Sequence, residues 1–375
     1  MSGYFNFYSH LADDWWARRA FLHTWWRANR RDPRWLPPLY APHVRALVQS
    51  ASPHVQRLRP TLLTMDAVAR QSRIAGFAGL PVATSADDSV VGMVALLHDD
   101  RPDLPTTWLS LLNFANDEEA LERLLGAVWE HAAVQGSVRI AGPVSLTPSF
   151  APGVLLDNYH LDPPSHTPYT APYLPELLDG TLEPLGWSRI YSLDLHHMQA
   201  APPDSGLRIE SLDPTRLAAD LLPLAQLALG DGIAAAPDAL EMEFLLASLS
   251  VAPLLGWSAM GSGRDDVAGF VLVQPDVGAR LRITNGGRNP WGRARVALRT
   301  PTVERGRLLL GAVAMEARGN GVAAVLLATA ASFGRTQGWK TLEIGPVTEG
   351  SDAESVLQAA GAVPRQRYAL FGSAE

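Results

Sequence analysis

The residues best suited to chemistry lie in a turn that opens the last long helical segment of the sequence. The turn reads Arg318-Gly319-Asn320-Gly321 and follows an apolar run, Leu308 to Met315. From Val322 onwards, apolar residues recur at helical spacing. Glycines let a backbone close around an anion, and a helix N-terminus supplies free N–H groups and the positive end of a dipole. The sequence therefore predicts an anion site at this turn.

Two cofactor-binding patterns fit the turn. From Gly319 to Ala324 it matches the dinucleotide pattern G-x-G-x-x-A, and Glu343 lies near the position of a ribose-binding acid. However, only about 55 residues follow the turn, too few to complete a doubly wound parallel sheet. In addition, Glu316, Ala317 and Arg318 separate the glycine from the strand that it should follow directly. The sequence therefore favours the second pattern, in which Arg318 belongs to the motif.

The elements that position this turn occur twice, which indicates an ancient duplication. LLGAVWEHAAVQG (124–136) and LLATAASFGRTQG (326–338) align at a constant offset of 202 residues. Each is followed by a β-like run that ends in Gly-Pro-Val, at 142–144 and at 345–347. Repetition on this scale predicts two copies of one fold.

The two copies differ by an insertion of about 26 residues in the first. The inserted segment, 145–173, is rich in proline and aromatic residues and predicts a long ordered loop. A proline-containing polar linker at 200–206 separates a first domain, 1–200, from a second, 206–375. The order of strand and helix patterns predicts an α+β fold of two tandem domains, each a mixed, mostly antiparallel twisted sheet flanked by helices.

In this context the motif Arg318-x-x-Gly321-x-Ala323 resembles the pyrophosphate loop of the GNAT superfamily of acyl-CoA-dependent N-acyltransferases. The similarity extends to the strand end before the loop and to Leu326-Leu327 in the helix after it. It implies two tandem GNAT domains, with acetyl-CoA as the acyl donor. The cofactor-binding residues that it implies are Val313, Ala314, Met315, Arg318, Gly319, Asn320, Gly321, Val322 and Ala323.

The first half lacks this motif. At an offset of 202 residues, the positions of the loop arginine and glycines hold Asn116, Asp117 and Glu119. Acidic residues at a helix N-terminus stabilise that helix but would repel a pyrophosphate. We therefore expect one acyl-CoA site, in the C-terminal copy, and a capped structural helix in the degenerate N-terminal copy.

The usual catalytic residues of the family are missing. The family often has a glutamate about eleven residues before the loop arginine, and a tyrosine in the last helix, but these positions hold Arg307 and Leu357. Glu304 or Glu343 could replace the base through water, although each also suits a structural role. Tyr368 could replace the acid, although its counterpart in the degenerate half, Tyr191, favours a packing role.

The predicted function is transfer of an acyl group, most simply acetyl, from acyl-CoA to an amine of a small molecule or peptide. Two alternatives stay open. The missing base and acid suit a non-catalytic acyl-CoA sensor. Aminoacyl-transferases of the peptidoglycan-bridge type also pair two GNAT-like domains, but they have generally lost the loop that is intact here.

The composition limits the classes of protein and of functional site that this chain can represent. Apolar residues make up 47% of the chain, cysteine is absent and the net charge is −7. These values predict two buried cores and no thiolate chemistry, and they disfavour a nucleic-acid surface. No secretory leader, membrane span or metal site is recognisable, so we expect a cytoplasmic protein. The arginine-rich segment 279–307 is interpreted as a solvated loop or hairpin.

Overall fold

The computed structural model describes residues 5–10, 15–67, 90–197, 206–229, 233–261, 266–298 and 302–373. Within these ranges the strands are β1 (Phe5–His10), β2 (Thr61–Ala67), β3 (Val90–Asp99), β4 (Thr106–Phe114), β5 (Arg139–Val144), β6 (Val154–Leu155), β7 (Glu183–Asp194), β8 (Arg208–Leu212), β9 (Leu255–Met260), β10 (Val267–Pro275), β11 (Arg305–Val313), β12 (Thr341–Thr348) and β13 (Val363–Gly372). The helices are α1 (Trp15–Arg30), α2 (Tyr40–His43), α3 (Pro53–Arg57), α4 (Glu118–Val134), α5 (Leu174–Asp179), α6 (Leu222–Leu229), α7 (Ala239–Leu249), α8 (Gly278–Thr284), α9 (Pro290–Leu298), α10 (Val322–Thr336) and α11 (Asp352–Ala359).

The strands form one continuous mixed sheet. Its order is β1-β2-β3-β4-β5-β13-β7-β12-β11-β10-β9-β8, and β6 pairs with β13 outside this path. The pairs β4/β5 and β11/β12 are parallel, whereas the other pairs are antiparallel. The predicted α+β fold, with mixed and mostly antiparallel strands, is confirmed.

The last strand of each copy pairs with a strand of the other copy. We call residues before the predicted linker the N-half and those after it the C-half. β7, the last N-half strand, pairs with β12 of the C-half, and β13, the last C-half strand, pairs with β5 of the N-half. β7 and β13 also pair with each other over most of their length. The boundaries 1–200 and 206–375 stay a prediction, and residues 200–205 of the predicted linker lie outside the described residues.

Helices cover both faces of the sheet. In the N-half, α1 to α3 pack on one face and α4 and α5 on the other. In the C-half, α10 and α11 pack on one face and α6 and α7 on the other. α4 and α10 occupy corresponding places along the chain. α4 connects the parallel strands β4 and β5, and α10 connects β11 and β12, as the duplication predicts. No helix of the described ranges is long and apolar enough to cross a membrane.

The arginine-rich segment is helical, so its interpretation as a loop or hairpin was wrong. α8 ends at Thr284, and the left-handed backbone of its C-cap residue, Asn285 (φ 50°), closes the helix. Pro290 occupies the first turn of α9. Asn285 also accepts a hydrogen bond from the Trp26 indole at 2.9 Å. This tertiary contact joins the segment to α1, 259 residues earlier, and local sequence patterns contain no sign of it.

The insertion 145–173 is an ordered loop, as predicted. It contains a short 3₁₀ turn, Pro148–Phe150, and the two-residue strand β6. Tyr169 is buried in a small cluster with Leu155 and Tyr368. The loop therefore packs onto the exchanged strand β13, close to the junction of the two halves.

Candidate functional site

The parallel strands β11 and β12 separate halfway along their length. Their ladder runs from Arg305 opposite Thr341 to Leu308 opposite Ile344 and ends there. Beyond it, β11 continues beside β10 alone and β12 beside β7 alone. A gap therefore opens in the sheet, which we call the β11–β12 cleft.

Backbone groups of β11 face this cleft. The N–H of Ala314 donates to the carbonyl of Ala268 on β10 at 2.9 Å. Because hydrogen bonding alternates along an antiparallel pair, the N–H groups of Gly311 and Val313 point to the opposite edge, toward the cleft. Gly311 is exposed although it lies well inside a strand. The edge of β11 is thus free to pair with an extended ligand.

The predicted anion loop lies at the end of the cleft and has the backbone shape that the sequence suggests. Gly319 and Gly321 have φ values of 78° and 74°, and a side chain at either would point into open space. Among the described residues, the N–H groups of Gly319, Gly321, Val322 and Ala323 have no acceptor. These donors lie at the N-terminal end of α10, where the helix dipole is positive, which is the arrangement that binds phosphate groups.

Arg318 adds a positive charge beside these donors. Its guanidinium lies 3.3 Å from the carboxylate of Asp352, at the start of α11, and both side chains are substantially exposed. An exposed pair of this kind contributes little to stability. Arg318 is therefore available to an anion at the loop.

One cavity of about 1490 Å³ joins the cleft to the loop. It is lined on the α10 side by the loop and α11, and on the α6 side by Leu227–Leu229 and Ile233. The N-half contributes two further segments to its wall, Ser149–Pro152 of the insertion and Leu185–Ser188 of β7. The cavity therefore has walls on both faces of the sheet.

Six of the nine predicted cofactor-binding residues line this cavity, and three do not. Those that line it are Val313, Arg318, Gly319, Gly321, Val322 and Ala323. The others are Ala314, Met315 and Asn320. The N–H of Ala314 is used within the sheet, and its carbonyl accepts from Ala317 at 2.9 Å, so neither group faces the cleft.

Arg307, at the position where the family often has a glutamate, holds the insertion against β12. It is completely buried, and its guanidinium donates to the carbonyl of Ser165 at 3.1 Å and the hydroxyl of Thr167 at 2.9 Å. It also donates to the carbonyls of Glu343 at 3.2 Å and Gly345 at 2.7 Å. Burial lowers the pKa of Arg307 to about 10, so it stays a cation near neutral pH and cannot accept a proton.

We expect Arg307→Leu to lower the free energy of unfolding by about 3 to 5 kcal/mol, because it leaves four buried acceptors without their donor. Arg216→Leu is the control, since Arg216 forms an exposed pair with Asp220 on the surface, and we expect a loss within about 1 kcal/mol. Urea unfolding followed by circular dichroism measures both. A loss below about 1 kcal/mol for Arg307→Leu would contradict the role of Arg307 as the anchor of the insertion.

The three predicted catalytic residues do not line the cavity. Glu304 forms an exposed ion pair with Lys340 at 2.7 Å. Glu343 is buried and accepts from Ser192 at 3.0 Å, and it pairs with Arg365 at 3.3 Å. The structure brings neither carboxylate to the cleft, and their catalytic role stays a prediction.

Tyr368 is also buried away from the cavity. Its hydroxyl donates to the carbonyl of Pro168 at 3.3 Å, and burial raises its pKa well above the usual range. A phenol in this environment keeps its proton. Its pseudo-symmetric counterpart, Tyr191, is also almost completely buried, which agrees with the packing role that the duplication suggests for both.

The ionisable side chains that line the cavity are Arg318, Asp352 and His197. His197 is highly exposed and lies 2.8 Å from Asp194. Asp194 pairs with Thr341, at the end of β12 opposite to the cleft opening. His197 therefore lies away from the place where β11 and β12 separate, and Asp352 pairs with Arg318 beside the loop. Within the described ranges, no group of three or more His, Asp or Glu residues could hold a metal ion.

Sequence reasoning missed a polar pair on the N-half wall. The hydroxyl of Ser149, which lines the cavity, donates to the buried carboxylate of Glu241 on α7 at 2.7 Å. Glu241 also lies 3.0 Å from the guanidinium of Arg101. Ser149 and Glu241 are 92 residues apart, so no local spacing could have indicated their contact.

The corresponding strands of the N-half stay paired for longer. The β4/β5 ladder is irregular after Trp108 but extends to Ser110 opposite Val144, and the Ser110 hydroxyl donates to the carbonyl of Ser145 at 3.0 Å. At the helix that follows β4, the side chain of Asp117 accepts from the N–H of Ala120 at 3.1 Å. The predicted capped structural helix is confirmed, because a carboxylate occupies the position where the C-half exposes free N–H groups.

Comparisons with known proteins bear on the fold. No protein-family model matches the chain, and neither does any curated protein. Among solved structures, the chain is similar to a tandem GNAT protein from the clavulanic acid biosynthesis pathway, solved without acetyl-CoA. The TM-score is 0.56 and the identity 14%, over 99% of this chain and 98% of that chain.

Two further solved structures are also similar over almost the whole of this chain at low identity. A GCN5-related glucosamine N-acetyltransferase region of a fungal multi-domain β-N-acetylglucosaminidase aligns with a TM-score of 0.56 at 13% identity, over 99% of this chain and 38% of that chain. A probable N-acyltransferase from Enterococcus faecalis aligns with a TM-score of 0.54 at 7% identity, over 98% and 72%. These similarities show that the fold is that of the GCN5-related N-acetyltransferases. In its particular form, this chain has the tandem GNAT fold, as the sequence motif and the duplication predicted.

Proposed function

We propose that this protein is an acyl-CoA-dependent N-acyltransferase, most simply an N-acetyltransferase, with a single acyl-donor site in its C-half. The observation that carries the proposal is the combination of an open β11–β12 cleft and a loop with four unpaired N–H donors in one cavity. The acceptor would be an amine of a small molecule or peptide.

The residues of the cleft fit the parts of acetyl-CoA. The N–H groups of Gly319, Gly321, Val322 and Ala323 would hold the pyrophosphate, because oriented backbone donors and a helix dipole stabilise anions. The edge of β11, with the N–H of Val313, would hold the pantetheine as an added strand does. Acetyl-CoA would supply a thioester carbonyl that an amine can attack.

Polar groups on the part of the cavity wall that the N-half contributes would bind the amine acceptor. Ser149, held by Glu241, and Ser188, whose hydroxyl has no partner among the described residues, both line the cavity. They would orient an amine by hydrogen bonds, while the apolar walls of the cavity exclude water. Since none of the described residues places a carboxylate or imidazole at the opening of the cleft, the amine would have to enter in its neutral form.

The same observation favours a second candidate function, a non-catalytic acyl-CoA-binding protein. A sensor needs the anion loop and the cleft but no proton transfer. Release of CoA in the presence of amines separates the two functions.

Calorimetric titration of the full chain should show one acetyl-CoA site and no binding of NAD.

A panel of primary amines, assayed by the thiol released from acetyl-CoA, should identify an acceptor. The absence of cysteine in the chain removes background from that assay. Because the neutral amine reacts, kcat/KM should rise about tenfold per pH unit below the pKa of the acceptor. Binding without thiol release would support the sensor, whereas two acetyl-CoA sites or NAD binding alone would overturn both functions.

A further inference from the structure

A second cavity, of about 690 Å³, is lined mostly by the N-half and on one side by α7 of the C-half. We call it the N-half cavity. It is bounded by the segment 24–43 of α1 and α2, the ends of β4 and β5, the insertion and α7. Its volume is within the range of small-molecule sites, about 300 to 1000 Å³. It shares one wall, Phe150–Pro152, with the larger cavity, so the two are neighbours.

Aromatic side chains contribute to several walls of the N-half cavity. They are Trp25, Trp35, Phe114, Phe150, Tyr169, Tyr173 and Phe244. The Trp25 ring is fixed by an edge contact with Trp35 (centroids 5.7 Å apart) and by stacking on His43 (6.4 Å). Rigid aromatic walls of this kind bind flat apolar groups through large contact areas.

Two polar atoms in this wall have no protein partner. The indole Nε1 of Trp25, in a residue only 7% exposed, and the imidazole Nε2 of His166 are buried and lack hydrogen-bond partners among the described residues. Both residues line the N-half cavity. Unpaired buried polar groups destabilise a folded protein by about 1 to 3 kcal/mol each and are rare. A ligand that bonds to both atoms would remove this cost.

His166 is held in place by its neighbours on both sides. The carbonyl of Ser165 and the hydroxyl of Thr167 accept from Arg307, and the N–H of Ser165 donates to Asp276 at 3.1 Å. His166 itself has a left-handed backbone, with φ 63°. Non-glycine residues adopt this conformation rarely, and mostly where the surroundings enforce it. The network around Arg307 thus presents His166 to the cavity.

The charge distribution favours a neutral ligand. The ionised side chains that line the cavity are Arg27, Arg31 and Asp32, and all three are exposed or half-exposed at its edge. Burial, with the neighbouring Arg307 cation, lowers the pKa of His166 to about 3, so its imidazole is neutral near pH 7. A charged ligand inside would lose its hydration without gaining a counterion.

The N-half cavity is also unsuited to acyl-CoA. Asp117, Glu118 and Glu119 open the helix that follows β4, and their negative charges would repel a pyrophosphate. From these observations we propose that the N-half cavity binds a neutral aromatic small molecule, which accepts a hydrogen bond from Trp25 and forms a second one with His166. This site is distinct from the proposed acyl-donor site and independent of it.

Fluorescence titration of the full chain with prodan, a neutral naphthalene that carries a carbonyl acceptor, tests the proposal. We expect saturable, blue-shifted emission with one probe per chain. Trp25→Phe removes the donor but keeps an aromatic ring, and should weaken binding by about threefold to tenfold. Ser248→Phe fills the cavity from α7 and should abolish saturable binding. Among the described residues, the Ser248 hydroxyl bonds only to the carbonyl of Phe244, one turn earlier in its own helix.

Ser250→Phe is the matched control, because Ser250 makes the same type of bond to Leu246 but is exposed and does not line the cavity. It should bind prodan as the unchanged chain does. Retained acetyl-CoA binding and thermal melting show that each variant is folded. Equal binding by Ser248→Phe, competition by acetyl-CoA, or no saturable binding to the unchanged chain would each overturn the proposal.

Discussion

Gly321→Glu should weaken acetyl-CoA binding by at least about 100-fold, equivalent to about 2.7 kcal/mol. Gly321 precedes α10, and its own N–H is one of the four unpaired donors of the loop. A carboxylate at this position would place a negative charge and new bulk where we propose that a pyrophosphate binds, close enough for strong repulsion. Calorimetric titration of acetyl-CoA measures the loss directly.

Gly338→Glu provides a matched control at the other end of the same helix. Gly338 has φ 77°, against 74° for Gly321, and a side chain at either position meets no atom within 4 Å. Both substitutions therefore introduce similar backbone strain, about 1 to 3 kcal/mol, but Gly338 does not line the cavity. We expect Gly338→Glu to bind acetyl-CoA normally. Equal affinity of the two variants would show that the ligand binds elsewhere.

The features that the sequence predicts well are local ones. The loop from Arg318 to Gly321 was recognisable because positive φ values favour glycine and because a helical pattern begins directly after it. Likewise, Ser351 and Glu354 suggest a helix start, and the Ser351 hydroxyl accepts from the N–H of Glu354 at 3.3 Å. In both places, the residues that make the structure lie within a few positions of each other.

The features that the sequence did not reveal depend on distant contacts. Arg307 lies on a strand, and nothing near it indicates that its guanidinium binds Ser165 and Thr167, about 140 residues earlier. The opening of the cleft is also non-local, because it requires the end of the ladder after Leu308 and Ile344 on two separate strands. The catalytic candidates were chosen by position along the chain, which does not determine which cavity a side chain faces.

The exchange of the last strands could not be predicted for a further reason. Because the halves are duplicates, β7 and β13 carry similar patterns, with Tyr191 and Tyr368 at matching places. Either strand therefore has side chains that suit either sheet. Linker geometry and side-chain fit, rather than hydrophobic patterning, must select the partner. In the structure β7 fills the space between β12 and β13, where Tyr191 and Leu193 are almost completely buried.

This exchange makes the two halves mutually dependent. A C-half of residues 206–375 would lack β7, so β12 would lose its antiparallel neighbour and β13 would lose its partners β7 and β5. An unpaired, largely apolar strand edge promotes aggregation. We therefore expect residues 206–375 alone to be poorly soluble, without the cooperative thermal transition of the full chain.

Cleavage of the full chain tests the exchange without removing any strand. A protease site introduced between residues 200 and 205 allows the folded protein to be cut in the predicted linker. Because each fragment then contributes a strand to the sheet of the other, we expect the fragments to coelute as one species on size exclusion at micromolar concentration, and to separate only in denaturant. Their acetyl-CoA affinity should match that of the uncut chain, since the cleft and loop stay intact. Separation into two folded halves under native conditions would contradict the exchange, because neither half could then depend on a strand of the other.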